Sequence, residues 1–116
     1  MAVLKLVEAQ ADGLNDAAAR LEALGNPTRL EIYRMLVRAG DGGLAVGELQ
    51  RRLGAAASTL SHHLRALVTV RLVSQERRKT TLICRANYPV MTSLIEFLTD
   101  QCCGDENSCG PEAGWQ

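Results

Sequence analysis

The stretch VGELQRRLGAAASTLSHHLRALVTVRLV, residues 46–73, contains two short helical patterns joined by a tight connection. The first covers 46–54, with apolar residues at helical spacing and Gly54 as a stop signal. The second covers 56–73, and its apolar face consists of Leu60, Leu64, Leu67 and Val68. Two helices joined this closely, with hydroxyl and basic side chains concentrated on the second, predict a helix-turn-helix.

Two helices are predicted before this motif. The alanine-rich segment 15–25 carries Leu21 and Leu24 and stops at Gly25. A second helix spans 26–40, with Asn26 as its N-cap and Pro27 at its first position. We expect this second helix to bury one face, which consists of Leu30, Tyr33, Leu36 and Val37. A turn follows at 41–43.

The elements after the motif complete the predicted fold. Residues 72–86 place β-favouring residues on both sides of a charged ERRK segment, which predicts a hairpin. Residues 88–103 form a last helix whose predicted apolar stripe is Met91, Leu94, Ile95 and Leu98. This order of elements predicts a winged helix-turn-helix, mainly α with a small β-hairpin. We divide the chain into an N-terminal segment (1–14), the winged domain (15–103) and a C-terminal tail (104–116).

Charge is distributed unevenly along the 116 residues, although the formal net charge is zero. Residues 1–49 carry five basic and seven acidic side chains, and residues 50–85 carry eight basic and one acidic. Residues 86–116 carry five acidic side chains and no basic one. A basic surface confined to the middle third is what a protein that contacts phosphates needs. The plain alternative is a solvated charged face.

The sequence also indicates where the protein works. No apolar run approaches the roughly 20 residues of a membrane helix, and MAVLKLV is too short for the core of a signal peptide. We therefore expect a cytoplasmic protein that contacts no membrane. In a reducing compartment its four cysteines should be free thiols or metal ligands rather than disulfides.

The residues expected to contact DNA lie on the second helix of the motif and on the hairpin. With the leucines facing inward, the outward-facing side chains are Ser58, Thr59, Ser61, His62 and Arg65. Hydroxyls and arginine donate to phosphates and base edges, and the first turns of such a helix lie in the major groove. His63 lies beside the core-facing side, where we expect a role in packing or orientation. In the hairpin, Arg77, Arg78 and Lys79 fit a wing on the DNA backbone or in the minor groove. Arg51 and Arg52 are either contacts to flanking phosphates or ordinary surface arginines.

ALGNPTRLEIYRML (23–36) and STLSHHLRALVTVRLV (58–73) resemble the second helix and the recognition helix of the ArsR/SmtB family of metal- and metalloid-responsive repressors. The resemblance extends over about residues 15–101. It implies a homodimer whose interface is formed by the first and last helices. Such a dimer binds operator DNA and represses transcription until an inducer binds. Carried over to this chain, the DNA-facing positions are Ser58, Ser61 and His62, with Thr59 beside them. The chain departs from the family at 55–57, where AAA replaces polar capping residues.

The inducer has to be inferred from the thiols, because the two familiar sensing sites of the family are missing. The first helix of the motif, VGELQRRL, has no cysteine, and 88–101 has no histidine. The segment QCCGDENSC (101–109) instead holds Cys102, Cys103 and Cys109, whereas we expect Cys84 to be a small core residue. Some family members sense arsenite through cysteines near the chain end, and this pattern resembles theirs.

Three thiols without a histidine select a soft centre. A nearby helix end and acidic residues disfavour the thiolate that a reactive nucleophile needs, so we expect no enzymatic activity and no catalytic cofactor. Trivalent arsenic or antimony is satisfied by three sulfurs, whereas structural zinc wants a fourth ligand. The prediction is a repressor released by As(III) or Sb(III). The alternatives are a soft metal such as cadmium, lead or mercury, thiol oxidation, incidental thiols in the tail, or constitutive DNA binding.

Overall fold

The computed structural model describes the backbone of residues 2–100 and the side chains of residues 13–100. Within residues 2–100, five α-helices, one short 3-10 helix (Gly40–Gly42) and three strands follow one another in the order expected of a winged helix-turn-helix. They are α1 (Ala2–Leu24), α2 (Pro27–Ala39), β1 (Leu44–Ala45), α3 (Val46–Leu53), α4 (Ala57–Thr69), β2 (Val73–Arg78), β3 (Thr81–Ala86) and α5 (Tyr88–Thr99). The antiparallel sheet has the order β1-β3-β2. The predicted fold class is confirmed.

The core lies where α2, α3 and α4 meet the sheet. Leucines from all three helices are buried together with residues of β2 and β3. The fully buried side chains are Ile32, Leu36, Leu49, Leu60, Leu67, Leu72, Val73 and Cys84. The prediction that Cys84 is a small core residue is therefore confirmed.

The start of α2 follows directly from its sequence. The side-chain oxygen of Asn26 accepts hydrogen bonds from the backbone N–H groups of Thr28 (2.9 Å) and Arg29 (3.2 Å), as an N-cap should. The predicted apolar face of this helix is wrong in part. Leu30 and Val37 are exposed, while Ile32 and Met35 are buried. The buried residues still repeat at helical spacing, but the buried face is rotated by about a quarter of a turn from the predicted one. In this orientation α2 packs against α1, α4 and β3 at once.

The bounds of α1 and α4 differ from the prediction. The first helix begins at Ala2 rather than at residue 15. The recognition helix α4 ends at Thr69, although the apolar pattern predicts a helix to residue 73. Arg71 adopts a left-handed conformation (φ +67°), and the N–H groups of Arg71 and Leu72 donate to Val68 and Leu67. This is a Schellman ending in which arginine occupies the position usually held by glycine, so the sequence carries no stop signal there.

The last helix buries less than predicted. Leu94 is 3% exposed, but Ile95 and Leu98 are 54% and 53% exposed. The helix ends at Thr99 rather than continuing to 103. Leu14 and Leu21 of α1 are also exposed. A single protomer thus leaves apolar faces of its first and last helices uncovered.

The cysteines of the predicted inducer site, and the domain boundaries drawn at 14 and 103, are not tested by this structure. Cys102, Cys103 and Cys109 lie outside the described residues. The division of the chain at those boundaries stays a prediction. Among the described helices, none is long and apolar enough to cross a membrane.

Candidate nucleic-acid interface

The outer face of α4 is polar throughout its length. The helix is held to the core by Leu60, Leu64 and Leu67, which are at most 3% exposed. The opposite face is exposed and carries every α4 residue expected to contact DNA: Ser58, Thr59, Ser61, His62 and Arg65. An exposed helix face with hydroxyl, imidazole and guanidinium groups can donate hydrogen bonds to phosphates and base edges.

The first turn of α4 has no side-chain cap. Ala56 is the N-cap residue and makes no side-chain hydrogen bond, as the AAA segment predicts. Gly54 ends α3 in a left-handed conformation (φ +66°) and turns the chain between the two helices. The first backbone N–H groups of a helix lack partners within the helix. At the start of α4, no side chain of the N-cap residue accepts a hydrogen bond from these N–H groups, because Ala56 has no side-chain oxygen.

His63 connects the recognition helix to α2. The Nε–H of Arg29 donates to Nδ1 of His63 at 3.2 Å, so the neutral ring carries its proton on Nε2. Burial lowers the pKa of His63 below its ordinary value, and the positive charge of Arg29 and the neighbouring His62 lower it further. A proton on Nδ1 would remove the acceptor of this bond. The hydrogen bond between Arg29 and His63 therefore links α2 to α4, and it requires the neutral form of His63.

The hairpin separates the three predicted wing residues. Gln75 pairs with Cys84 and Arg77 pairs with Leu82, so Arg77 shares the face of the hairpin that carries the buried Cys84, although Arg77 itself is exposed. Arg78 lies on the opposite face, where its Nε is 3.5 Å from a carboxylate oxygen of Glu76. Lys79 occupies the tip in a left-handed conformation (φ +57°). Arg77 and Arg78 therefore lie on opposite faces of the hairpin, and Lys79 lies at its tip.

Arg85 of β3 links the hairpin to Asp41, in the 3-10 helix before β1, and to Glu76 of β2. Its Nε donates to the backbone oxygen of Asp41 at 2.8 Å, and its Nη1 donates to Glu76 at 2.7 Å. The Arg85 hydrogen bond, followed by the charge of Arg78, lowers the pKa of Glu76. Gly43 lies beside this link with φ +68°. The sequence analysis missed this arrangement, because neither Arg85 nor Gly43 belongs to a recognisable motif.

The first helix of the motif carries an ion-pair cluster in which Glu48 binds Arg51 and Arg52. The sequence analysis considered the two arginines but missed the role of Glu48. Arg51 donates to both carboxylate oxygens of Glu48, with Nε at 3.0 Å, and Nε of Arg52 donates to the same carboxylate at 2.8 Å. The Arg51 hydrogen bond and then that of Arg52 lower the pKa of Glu48 to about 2. The spacing of these residues, i to i+3 and i+4, was the signal that could have found the cluster.

A groove of about 250 Å³ lies between α4 and the wing. Ser61 and Arg65 line it from α4, Gln75 and Leu82 from the hairpin, and Val46 from the start of α3. Two of the predicted DNA-facing residues of α4, Ser61 and Arg65, therefore lie across this groove from the hairpin.

Within residues 13–100, no group of three or more His, Cys, Asp or Glu side chains is placed to hold a metal ion. Cys84 is free and buried, and burial raises the pKa of its thiol even though Gln75 donates to its sulfur. This thiol is therefore poorly suited to bind a soft ion.

The chain matches a family described as a helix-turn-helix domain over residues 24–76. It is 34% identical over 84 residues to the nodulation protein NolR of Rhizobium meliloti, covering 72% of this chain and 66% of NolR. It is 35% identical over 82 residues to the transcriptional activator HlyU of Vibrio cholerae, covering 71% of this chain and 73% of HlyU.

Solved structures with the same fold include regulators from three bacteria. An ArsR-like transcriptional regulator from Rhodococcus sp. RHA1 is 25% identical with a TM-score of 0.65, covering 73% of this chain and 77% of that one. The homodimeric winged helix-turn-helix domain of Mb0332 from Mycobacterium bovis, a possible ArsR-family regulator, is 26% identical with a TM-score of 0.65. The match covers 87% of this chain and 94% of that one. Reduced HlyU from Vibrio cholerae is 31% identical with a TM-score of 0.61, and the match covers 83% of this chain and 98% of that one.

Proposed function

Because the chain belongs to the ArsR family of winged helix-turn-helix, DNA-binding transcriptional regulators, we propose that it is a homodimeric repressor which leaves its operator when As(III) or Sb(III) binds Cys102, Cys103 and Cys109. The observation that carries the DNA-binding half is the exposed polar face of α4. The observation that carries the inducer half is the set of three thiols within QCCGDENSC.

The DNA contacts follow from the geometry of α4 and the wing. Ser58, Ser61 and His62 enter the major groove with the first turns of α4, and Thr59 and Arg65 lie beside them. The basic residues of the wing contact phosphates. Each phosphate that a basic side chain neutralises releases counterions, so operator affinity falls steeply with salt.

Dimerisation is supported by the uncovered apolar side chains of the first and last helices. Leu14 and Ile95 are 59% and 54% exposed, and Phe97 is 41% exposed. A β-carbon built on Gly13 would lie 3.7 Å from the ring of Phe97, so α1 and α5 are neighbours and their exposed faces form one surface. A second copy covers this surface and places two recognition helices about 34 Å apart, one turn of DNA.

The donor set fits a trivalent metalloid. Neutral arsenous acid exchanges three hydroxides for three thiols, with one water released per sulfur and no change of net charge. A soft pyramidal centre with three sulfur ligands results. No charged complex is created near Asp105 and Glu106. The cysteines follow α5 directly, so their convergence on one ion changes the end of a helix at the dimer interface. A typical allosteric coupling of about 1–3 kcal/mol would lower operator affinity roughly 5- to 150-fold.

Calorimetric titration of arsenite into the reduced protein tests the inducer site. We expect one arsenite per protomer and a large loss of affinity in Cys102→Ser, Cys103→Ser and Cys109→Ser. The matched control is Cys84→Ala, which removes the buried thiol and should leave arsenite binding intact. Equal binding in wild type and in the triple serine variant would reject the site.

A second candidate is a regulator of the same fold that responds to thiol oxidation. It is favoured by the similarity to HlyU, whose structure was solved in a reduced form. A disulfide from Cys109 to Cys102 or Cys103 would join the same segments as the metalloid. An oxidant would then release the DNA, whereas arsenite would have no effect.

A further inference from the structure

We infer that Glu48 limits the affinity of this protein for DNA by competing with DNA phosphates for the guanidinium groups of Arg51 and Arg52. This inference rests on DNA binding by α4 and the wing, and goes beyond it by assigning an opposing role to an acidic residue on α3. Its consequence is a repressor whose operator complex is weaker and less salt-sensitive than its number of basic residues suggests.

The geometry of the cluster is that of a carboxylate shared by two arginines. Glu48 accepts from Arg51 at the i+3 position and from Arg52 at the i+4 position. Leu49, on the inner face of α3, is fully buried, so the three charged residues share the outer face. The arginine side chains are 71% and 48% exposed. Both guanidinium groups are therefore accessible to a second anion.

The cluster lies where DNA phosphates are expected. In a helix-turn-helix the first helix crosses the DNA backbone while the second lies in the major groove. Arg51 and Arg52 are in the last turn of α3, and only three residues separate the end of α3 from the start of α4. The two guanidinium groups therefore lie close in the chain to the first turns of α4, which are expected to enter the major groove.

An exposed ion pair is weak enough to exchange partners. Surface pairs contribute little because water and salt screen them, so a phosphate can displace the carboxylate. The displaced Glu48 stays next to the incoming phosphate and repels it. Glu48 is negatively charged at neutral pH in both states. Hydrogen bonds from Arg51 and then Arg52 lower its pKa to about 2 in the ion pair, and a displaced glutamate, with an ordinary pKa of about 4.3, is also ionised.

The test compares wild type with Glu48→Gln by fluorescence anisotropy on the DNA upstream of its own gene, over a range of salt. The amide keeps the size of the side chain and removes the charge. In a plot of log affinity against log salt concentration, each additional phosphate that the protein neutralises steepens the slope by about 0.9. One more phosphate per protomer of a dimer steepens it by about 1.8. The ratio of the affinity at 50 mM salt to that at 200 mM salt then rises about 12-fold. We expect tighter binding at low salt together with this steeper slope.

Two controls separate this effect from a general change of charge. Glu22→Gln removes one charge from α1 instead of α3 and should alter the slope much less. In an Arg51→Ala/Arg52→Ala background, Glu48→Gln should no longer steepen the slope, because the guanidinium groups through which it acts are gone. Circular dichroism verifies that each variant is folded.

The outcomes are distinct. Unchanged or weaker binding by Glu48→Gln, or the same increase in affinity in the background without Arg51 and Arg52, overturns the role of Glu48 and leaves the DNA-binding face of α4 in place. Failure of wild type itself to bind the DNA in a salt-dependent way would overturn that face, and this proposal with it.

Discussion

Replacement of Gly43 by alanine should destabilise the wing, and two neighbouring glycines provide a graded control. Gly43 has φ +68°, and a β-carbon built on it overlaps the backbone oxygen of Cys84 and lies 2.8 Å from Cγ of Arg85. Gly40 has a similar φ of +72° but no atom within 4 Å of such a carbon. Gly42 has neither a positive φ nor a close neighbour. The series therefore separates backbone strain from steric overlap.

The expected magnitudes follow from these differences. A non-glycine residue in this region of φ and ψ costs about 1–3 kcal/mol, which is the whole effect at Gly40. Overlap with packed neighbours adds about 1–3 kcal/mol, so Gly43→Ala should cost about 2–6 kcal/mol in total. Gly42→Ala should stay within about 0.5 kcal/mol of wild type or stabilise slightly, because its conformation suits alanine.

Urea denaturation followed by circular dichroism measures the free energies of unfolding, at one fixed protomer concentration because the protein is expected to dimerise. The order of stability should be Gly42→Ala above Gly40→Ala above Gly43→Ala. If Gly43→Ala were as stable as Gly40→Ala, the close packing of the loop against β3 and Arg85 would be refuted. A large loss in Gly42→Ala would refute the assignment of strain to positive φ.

Three further predictions concern the wing, the recognition helix and the core. Arg77→Ala should reduce the salt slope of DNA binding by about 0.9 per protomer. Arg78→Ala should reduce it less, because Glu76 already balances the charge of Arg78. Equal reductions in the two variants would contradict the placement of Arg77 and Arg78 on different faces of the hairpin. Since burial and Arg29 lower the pKa of His63, the unfolded chain takes up the proton first, so stability should fall as pH drops below about 6.5. His63→Gln should flatten that dependence in thermal unfolding, and an unchanged profile would contradict it. The hydroxyl of Tyr33 is buried without a hydrogen-bond partner among the described residues, so Tyr33→Phe should raise the free energy of unfolding by about 1 kcal/mol; a loss of that size would show that the hydroxyl has a partner.

The helix-turn-helix was predictable because its signals are local. Leu60, Leu64 and Leu67 repeat at helical spacing and all are buried. Asn26 and Pro27 mark the start of α2, and the cap forms as expected. Once these leucines face inward, the outward face of α4 follows from helical geometry alone, so the exposed polar residues of α4 were also predictable.

The remaining differences depend on tertiary contacts. The end of α4 was missed because Arg71 takes a left-handed conformation that usually requires glycine. The exposure of Ile95 and Leu98 could not be inferred from periodicity, because an apolar stripe looks the same whether its own chain or a second copy covers it. The two-residue strand β1 is too short to show alternation. It forms because Leu44 and Ala45 pair with β3.

Fluorescence anisotropy of the reduced protein on its own promoter DNA, titrated with arsenite at fixed salt, tests the central claim most directly. Release of the DNA near one arsenite per protomer, abolished by serine at Cys102, Cys103 and Cys109, is the predicted result. DNA binding that is tight, salt-dependent and indifferent to a large excess of arsenite would contradict the proposed inducer, while leaving the winged helix-turn-helix and its DNA-binding face intact.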